Sequence, residues 1–178
     1  KQKYLNKMIK KIQHMKDLSD RLLAYSVHST EEKYIPAGYV PLHRGLYDEL
    51  SDMCSYLVDQ GLAVKENLRW EEGDVFIYGE YLTRILDNIS SNILKYADVQ
   101  ALVLVWDEYY ADEMCIAFEN TCCQKSRGMD SYSIGLRNVK MMMEEMGGNC
   151  EVVQDREQFR ICLRFRYKKP NSKIENFF

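Results

Sequence analysis

The segment "RILDNISSNILKYAD", residues 84–98, decides the fold of this 178-residue chain. Apolar residues spaced three and four positions apart predict a helix over residues 80–96 with one side against a core: Leu82, Ile85, Leu86, Ile89 and Ile93. An adjoining side of this helix carries a second row, at i, i+4, i+7 and i+8: Asn88, Asn92, Lys95 and Tyr96. Asparagine is a mediocre helix former, so two asparagines here need an explanation.

The residue types in this second row match the chemistry of a magnesium-nucleotide. An amide oxygen at Asn92 can bind a hard cation such as Mg²⁺. Lys95, one turn later, can reach a phosphate oxygen, and Tyr96 offers a flat apolar surface with a polar tip. The spacing alone is equally compatible with two solvated asparagines followed by an amphipathic Lys–Tyr end.

Working outward from this helix, periodicity predicts an α+β fold. Helices are predicted at 44–60 and 135–146, the latter closed by the glycines at 147–148. Strands are predicted at 62–70, 75–78, 100–108, 114–120, 149–155 and 159–167, and a loop at 121–134. Together they predict a two-layer sandwich with a mixed, mostly antiparallel sheet covered by helices on one face. Alternation in the fourth strand places Ile116, Phe118 and Asn120 on one face and Glu119 on the other.

Residues 4–28 predict one long helix before this layered part. Its apolar residues follow a heptad, which favours a dimerisation or bundle helix over a helix folded back on its own domain. Proline and glycine then mark a linker. We therefore expect a helical segment at 1–30, a main domain at 31–168 and a polar tail at 169–178.

Composition excludes several classes of protein. The net charge of −3 gives no electrostatic case for nucleic-acid binding, and neither a membrane-spanning run nor a signal peptide is predicted. Because the chain begins with Lys1, we expect it to be a piece of a longer protein. The six cysteines form no CxxC pair; Cys115, Cys150 and Cys162 are expected to be buried free thiols in a reducing, cytoplasmic compartment. The three histidines, His14, His28 and His43, are expected to be surface or packing residues.

Four stretches resemble one known family in its own order along residues 4–167. "RILDNISSNILKYA" resembles the N-box of the histidine-kinase ATPase fold, also called the Bergerat or GHKL fold. "SIGLRNVKMMMEEMGGNCEV" resembles the second glycine box, its helix and the following turn. "FRICLRF" resembles the last strand, and "YLNKMIKKIQHMKDLSDRLLAYS" resembles the second helix of the dimerisation and phosphotransfer hairpin. The resemblance implies the Bergerat ATPase fold.

The same resemblance implies a nucleotide site. Asn92 would coordinate Mg²⁺, Lys95 would touch phosphate, and Tyr96 would line the adenine pocket. Asn120 stands at the place of the family's aspartate, where its carbonyl oxygen can accept a hydrogen bond from the adenine amino group. The full set implied as nucleotide-binding is Arg84, Asn88, Asn92, Lys95, Tyr96, Asn120, Ser133, Gly135 and Leu136.

Three departures from the family pattern affect the expected chemistry: a first glycine box without glycine, a short and glycine-poor loop before the last helix, and no phosphoacceptor histidine within the chain. The first glycine box lacks glycine, and only Gly135 remains of the glycine-rich run before the last helix, whose free N–H groups can still hold a phosphate. Superfamily members that hydrolyse ATP resemble each other in having glutamate at the position of Asn88. An amide cannot accept a proton as a general base, so Asn88 favours phosphotransfer over hydrolysis.

The function implied by the resemblance is that of a bacterial sensor histidine kinase using ATP and Mg²⁺. The γ-phosphoryl group would pass to a histidine upstream of Lys1, and then to an aspartate in the receiver domain of a response regulator. Homodimerisation through the N-terminal helix and a cytoplasmic place in a membrane-anchored sensor are further expectations. The alternative is a degenerate, non-catalytic nucleotide-binding or scaffold module with the same fold; a free-standing ATPase is disfavoured by Asn88.

Overall fold

The computed structural model describes residues 37–123, 134–155 and 157–170. All of them belong to one compact unit. The predicted helix at 4–28, the linker up to residue 36 and most of the tail at 169–178 lie outside the described residues. The division into segments at residues 30 and 168 therefore stays a prediction.

Three helices and seven strands make up the described part of the chain. The helices are α1 (Asp48–Asp59), which follows a π-helical turn at His43–Tyr47, α2 (Gly79–Tyr96) and α3 (Ile134–Glu145). The strands are β1 (Gly38–Pro41), β2 (Ala63–Asn67), β3 (Asp74–Ile77), β4 (Leu102–Tyr109), β5 (Glu113–Thr121), β6 (Asn149–Gln154) and β7 (Gln158–Lys168).

The strands form one sheet in the order β1-β3-β7-β5-β4-β2, with β6 also paired to β7. The pair β2–β4 is parallel, and the other described pairs are antiparallel. Strands β4 and β5 form a hairpin, and so do β6 and β7. The expected mixed, mostly antiparallel sheet is thus confirmed.

Helices cover one face of the sheet. Every second residue of β7 is buried, from Phe159 through Leu163 to Tyr167, whereas the residues between them are exposed or half-buried. On the buried face, α2 contacts both α1 and α3, and α3 also contacts β6 and β7. The two-layer α+β architecture predicted from periodicity is therefore confirmed. Among the described helices, none is both long and apolar enough to cross a bilayer.

The predicted strand at 62–70 is too long, because β2 already ends at Asn67. The next backbone amides do not continue the ladder: the N–H groups of Arg69 and Trp70 donate to the carboxylate of Asp107 in β4. Trp70 also has φ 52°, a left-handed conformation that strands do not accommodate. A side chain far away in sequence thus ends the strand.

Candidate functional site

Helix α2 presents the polar row of the opening segment beside its buried apolar side. Asn88, Asn92 and Tyr96 are half-buried, and Lys95 and Arg84 are exposed. The buried side is the predicted one, with Ser90 added, and it fixes the rotation of the helix against the sheet. The polar row therefore lies at the margin of the core, where side chains reach both packed atoms and solvent.

The Asn88 side chain is hydrogen-bonded to the backbone of its own helix. Its Nδ2 donates to the carbonyl oxygen of Arg84 over 2.6 Å. This i to i−4 bond explains how the helix tolerates the asparagine and which way the amide faces. With Nδ2 engaged on the backbone, Oδ1 is the atom that Asn88 offers as an acceptor or ligand.

The last turn of α2 carries a cation beside an aromatic ring. The ammonium nitrogen of Lys95 lies 5.1 Å from the centroid of the Tyr96 ring. A cation at this distance from a ring face is held by the ring's quadrupole. The positive group and the flat surface that the sequence predicted are thus adjacent.

Backbone hydrogen bonds join the end of α2 to the end of β5. The N–H of Cys123 donates to the carbonyl oxygen of Tyr96 over 2.8 Å, and the N–H of Asp98 donates to that of Thr121 over 2.8 Å. An isolated bridge between Ala97 and Cys122 lies between these bonds. These contacts bring Tyr96 to the corner of the sheet at which Asn120 lies.

Asn120 points into the core side of that corner. It alternates with Ile116 and Phe118, which are fully buried, while Glu119 lies on the other face and pairs with Arg160. The predicted facing of this strand is correct. Asn120 is 2% exposed, and its Nδ2 donates to the carbonyl oxygen of Thr121 over 3.2 Å.

Helix α3 carries two further residues of the predicted site, and hydrogen bonds end it at its C-terminus. Gly135 is half-buried and Leu136 is buried in the core, so at Leu136 the backbone is the part left for a ligand. Gly147 ends the helix with φ +71°, and its hydrogen bond and that of Gly148 to the preceding turn form a Schellman motif. The predicted site residue Ser133 lies outside the described residues.

Two contacts that the sequence did not predict hold α2 and α3 together. The hydroxyl of Tyr81 donates to Oε2 of Glu145 over 2.5 Å. The N–H of Tyr78 lies 3.3 Å from the sulfur of Met146. These contacts join the first turn of α2 to the last residues of α3, and no sequence pattern links positions 64 and 68 residues apart.

Asp107 is another buried polar residue, and the sequence patterns did not identify it. Its carboxylate accepts hydrogen bonds from the N–H groups of Arg69 and Trp70 and, over 2.8 Å, from the hydroxyl of Tyr109. Burial and this carboxylate raise the pKa of Tyr109. The signal in the sequence is an aspartate at a core-facing position of a strand, after Val103 and Val105.

The described cysteines form no disulfide bonds. Burial raises the pKa of Cys115 to about 12 and that of Cys150 to about 11, so both are protonated at neutral pH. Cys115 and Cys150 are buried as expected, but Cys162 is only half-buried. His43 is exposed, as expected; His14 and His28 lie outside the described residues.

No cluster of three or more His, Cys, Asp or Glu side chains with metal-binding geometry exists among the residues that the structure describes. A cation at this site would therefore need oxygen atoms from another source beside an asparagine. Mg²⁺ commonly takes one or two protein ligands together with phosphate oxygens and water. A half-buried amide such as that of Asn92 fits this mode of binding.

Comparison with known proteins agrees with the fold and the motifs. No family model matches the chain. The chain is 28% identical over 165 residues to the sensor histidine kinase YrkQ of Bacillus subtilis (strain 168), covering 93% of this chain and 38% of that relative. It thus spans less than half the length of the curated relative that it matches.

Solved structures share the architecture at low sequence identity. The catalytic domain of histidine kinase ThkA has a TM-score of 0.59 and 11% identity, covering 76% of this chain and 99% of that one. Full-length ShkA in complex with AMPPNP has a TM-score of 0.59 and 16% identity, covering 88% of this chain and 37% of that one. The chain therefore has the fold of histidine kinase catalytic domains and is similar over most of its length to a sensor histidine kinase, as its motifs predicted.

Proposed function

We propose that this chain is the ATP-binding catalytic domain of a sensor histidine kinase. The observation that carries the proposal is the arrangement of Asn88, Asn92, Lys95 and Tyr96 along one side of α2, fastened at Tyr96 to the corner with Asn120. This row occurs within the fold of histidine kinase catalytic domains. The AMPPNP bound to ShkA, a protein of similar fold, supports an adenine nucleotide as the ligand.

Each residue of the row has a distinct part in nucleotide binding. Mg²⁺, when bound with the nucleotide, neutralises phosphate charge and orients the γ-phosphoryl group. Asn92 would hold it through an amide oxygen, with phosphate and water oxygens as further ligands. Lys95 leaves the ring of Tyr96 to pair with a phosphate oxygen, which frees the ring to pack against the base.

The start of α3 and the exposed Arg84 would complete the phosphate side. Free backbone N–H groups near Gly135 and Leu136 favour an anion at the helix N-terminus. Arg84 supplies a further positive charge, and Ser133 remains part of the proposed set. Catalysis by such a site consists of positioning and charge neutralisation.

Asn88 determines the proposed fate of the γ-phosphoryl group. An amide oriented by its bond to the Arg84 carbonyl cannot take a proton from water, so the site lacks a base for hydrolysis at this position. The acceptor is therefore proposed to be a protein histidine upstream of this chain. In the longer protein, the phosphate would then pass to a response regulator, and the N-terminal helix would pair two copies in the cytoplasm.

Mg²⁺-dependent nucleotide binding tests the proposal. The chain is titrated with a fluorescent ATP analogue in Mg²⁺ and again in excess EDTA, and the same is done for Asn92→Ala. We expect the variant to bind about tenfold more weakly or worse, because a charge-assisted contact is lost, and to lose the dependence on Mg²⁺. Asn67→Ala, an exposed asparagine in the edge strand β2, is the matched control. Absent binding by the unmodified chain, or equal binding by Asn92→Ala, contradicts the proposal.

A non-catalytic signalling module is the second candidate function. Strand β5 ends at Thr121, and Cys122 and Cys123 follow it without a glycine, which leaves less room for close backbone approach to a ligand. Incubating the longer protein with labelled ATP separates the two functions. Phosphohistidine formation supports the kinase, whereas nucleotide binding without phosphohistidine supports the non-catalytic module.

A further inference from the structure

Cys115 in β5 and Cys162 in β7 bring two thiols together on the sheet. Cys115 lies opposite Arg164 and Cys162 lies opposite Ala117, so the two cysteines are diagonal neighbours on adjacent strands. Both alternate with the core residues of their strands, which places them on the other face of the sheet. The Cys115 thiol donates a hydrogen bond to the sulfur of Cys162. The two sulfur atoms are therefore in direct contact.

The diagonal position suits a bridging ion better than a disulfide bond. Diagonal neighbours in an antiparallel pair are about 7–8 Å apart, whereas the Cα atoms of a disulfide are usually about 4.4–6.8 Å apart. A metal–thiolate bond is about 2.3 Å long, so a linear sulfur–metal–sulfur bridge spans about 4.6 Å. This span is close to the separation of two sulfur atoms that share a hydrogen bond. The pair can thus hold a cation without the backbone shift that a disulfide needs.

The carboxylates opposite the two cysteines are engaged by other groups. Glu108, opposite Cys115, accepts hydrogen bonds from an indole and a phenol of its own strand region. Glu151, opposite Cys162, pairs with Arg164 over 3.5 Å. The site therefore offers two sulfur ligands rather than the four that Zn²⁺ takes in structural sites. Soft thiolate ligands in this number suit Cu(I).

Positive charge surrounds the pair. Along β7, Cys162 lies between Arg160 and Arg164, and Arg164 is also directly opposite Cys115. Burial raises the pKa of the Cys162 thiol, and the hydrogen bond from Cys115 and the two guanidinium groups act in the opposite direction. Binding of a metal ion releases the thiol protons. Two thiolates around one Cu(I) carry a net charge of −1, which these arginines are placed to offset.

We propose that Cys115 and Cys162 form a two-coordinate site for a soft monovalent cation, Cu(I). Two thiols and one Cu(I) ion give one sulfur–copper–sulfur bridge and two protons, with no change in oxidation state. The site uses none of the residues that are proposed to bind the nucleotide.

Transfer of Cu(I) from a coloured chelator tests the site. The reduced chain is titrated into the Cu(I) complex of bicinchoninate in oxygen-free buffer, and the loss of colour measures the metal that the protein takes. Loss of a residue that merely supports a metal ligand typically costs about 10- to 100-fold in affinity, so Cys115→Ala and Cys162→Ser should each bind at least about tenfold more weakly. X-ray absorption at the copper edge should show two sulfur ligands in the unmodified chain.

Two further thiols provide matched controls. Cys54→Ala removes a buried thiol from α1, and Cys123→Ser removes a half-buried thiol after β5; both variants should bind Cu(I) as the unmodified chain does. Circular dichroism checks folding, and if Cys115→Ala does not fold, Cys162→Ser decides. The proposal is overturned if the unmodified chain takes no Cu(I), if Cys162→Ser takes it equally well, if a control variant loses it, or if copper has other than two sulfur ligands.

Discussion

Asp107 and Asn120 are buried polar residues on the same face of neighbouring strands, but the chain satisfies them to different extents. Asp107 is surrounded by donors from Arg69, Trp70 and Tyr109, all within 3.1 Å. Within the part of the chain that the structure describes, the Asn120 side chain makes only the bond to its neighbour Thr121. A buried group with all its partners in the chain stabilises the fold, whereas one with capacity to spare is better suited to binding. At one end of the sheet, Asp107 therefore holds the loop at Arg69 and Trp70. At the other end, Asn120 is proposed to contact a ligand.

The largest effect in this comparison is expected for Asp107→Ala. Removing the carboxylate leaves the N–H groups of Arg69 and Trp70 and the hydroxyl of Tyr109 without their buried acceptor, which should lower the free energy of unfolding by about 3 kcal/mol. Urea denaturation followed by circular dichroism measures it. Asp52→Ala, at an exposed position of α1, is the matched control and should change stability little.

ATP binding by the same variant tests whether Asp107 affects stability alone. The Asp107 variant that remains folded should bind ATP as the unmodified chain does, because the carboxylate lies four residues along the sheet from Asn120, opposite Ile116. A decrease in the free energy of unfolding of less than about 1 kcal/mol, within the range of one ordinary hydrogen bond, would show that Asp107 does not hold the Arg69, Trp70 and Tyr109 donors in place. If the folded variant lost ATP binding, Asp107 and the proposed nucleotide site near Asn120 would not be independent of each other.

A smaller effect is expected for Tyr109→Phe. This change removes one donor to Asp107 and the acceptor of the Glu71 N–H, a bond of 3.3 Å. The loss should be about 1 kcal/mol at neutral pH, since Asp107 keeps its two backbone donors. Urea denaturation at pH 7 checks it, and a loss as large as that of Asp107→Ala would contradict the idea that backbone donors dominate.

The pH dependence of the same pair has a defined sign. Burial and Asp107 raise the pKa of Tyr109 above its ordinary value of 10.0. A raised pKa in the folded state means that this contribution to stability is complete below about pH 10 and is lost as the pH rises further. The difference in stability between the unmodified chain and Tyr109→Phe should therefore shrink above pH 10. A difference that stays constant or grows would contradict the assigned cause.

Local sequence patterns predicted the elements but not the contacts that end them. The helix predicted at 80–96 is found at Gly79–Tyr96, because its apolar spacing and its packing against the core agree. The facing of Ile116, Phe118 and Asn120 follows from alternation alone. The early end of β2 depends on Asp107, about 38 residues away, and the parallel pairing of β2 with β4 depends on the path of the whole chain.

The candidate site was predictable from the sequence to the extent that its residues lie on one helix. Spacing placed Asn88, Asn92, Lys95 and Tyr96 on one side of α2, and the structure does so too. Their approach to Asn120 arises from the backbone bonds at Tyr96 and Thr121, which no periodicity encodes. The bond from Asn88 to the Arg84 carbonyl is local, but periodicity shows only that the two residues are four apart.

The smallest change in stability is expected for Asn120→Ala. This substitution tests the Asn120 side of the comparison with Asp107. The Thr121 carbonyl keeps its bond from the Asp98 N–H, so no backbone group loses its last partner, and the free energy of unfolding should change by less than about 1 kcal/mol. ATP binding should nevertheless weaken, and the preference for ATP over purine riboside triphosphate, which has hydrogen in place of the adenine amino group, should disappear. Urea denaturation and competition binding on the same preparation give both numbers. A stability loss like that of Asp107→Ala, with the preference for ATP intact, would make Asn120 a structural residue and remove the distinction between the two ends of the sheet.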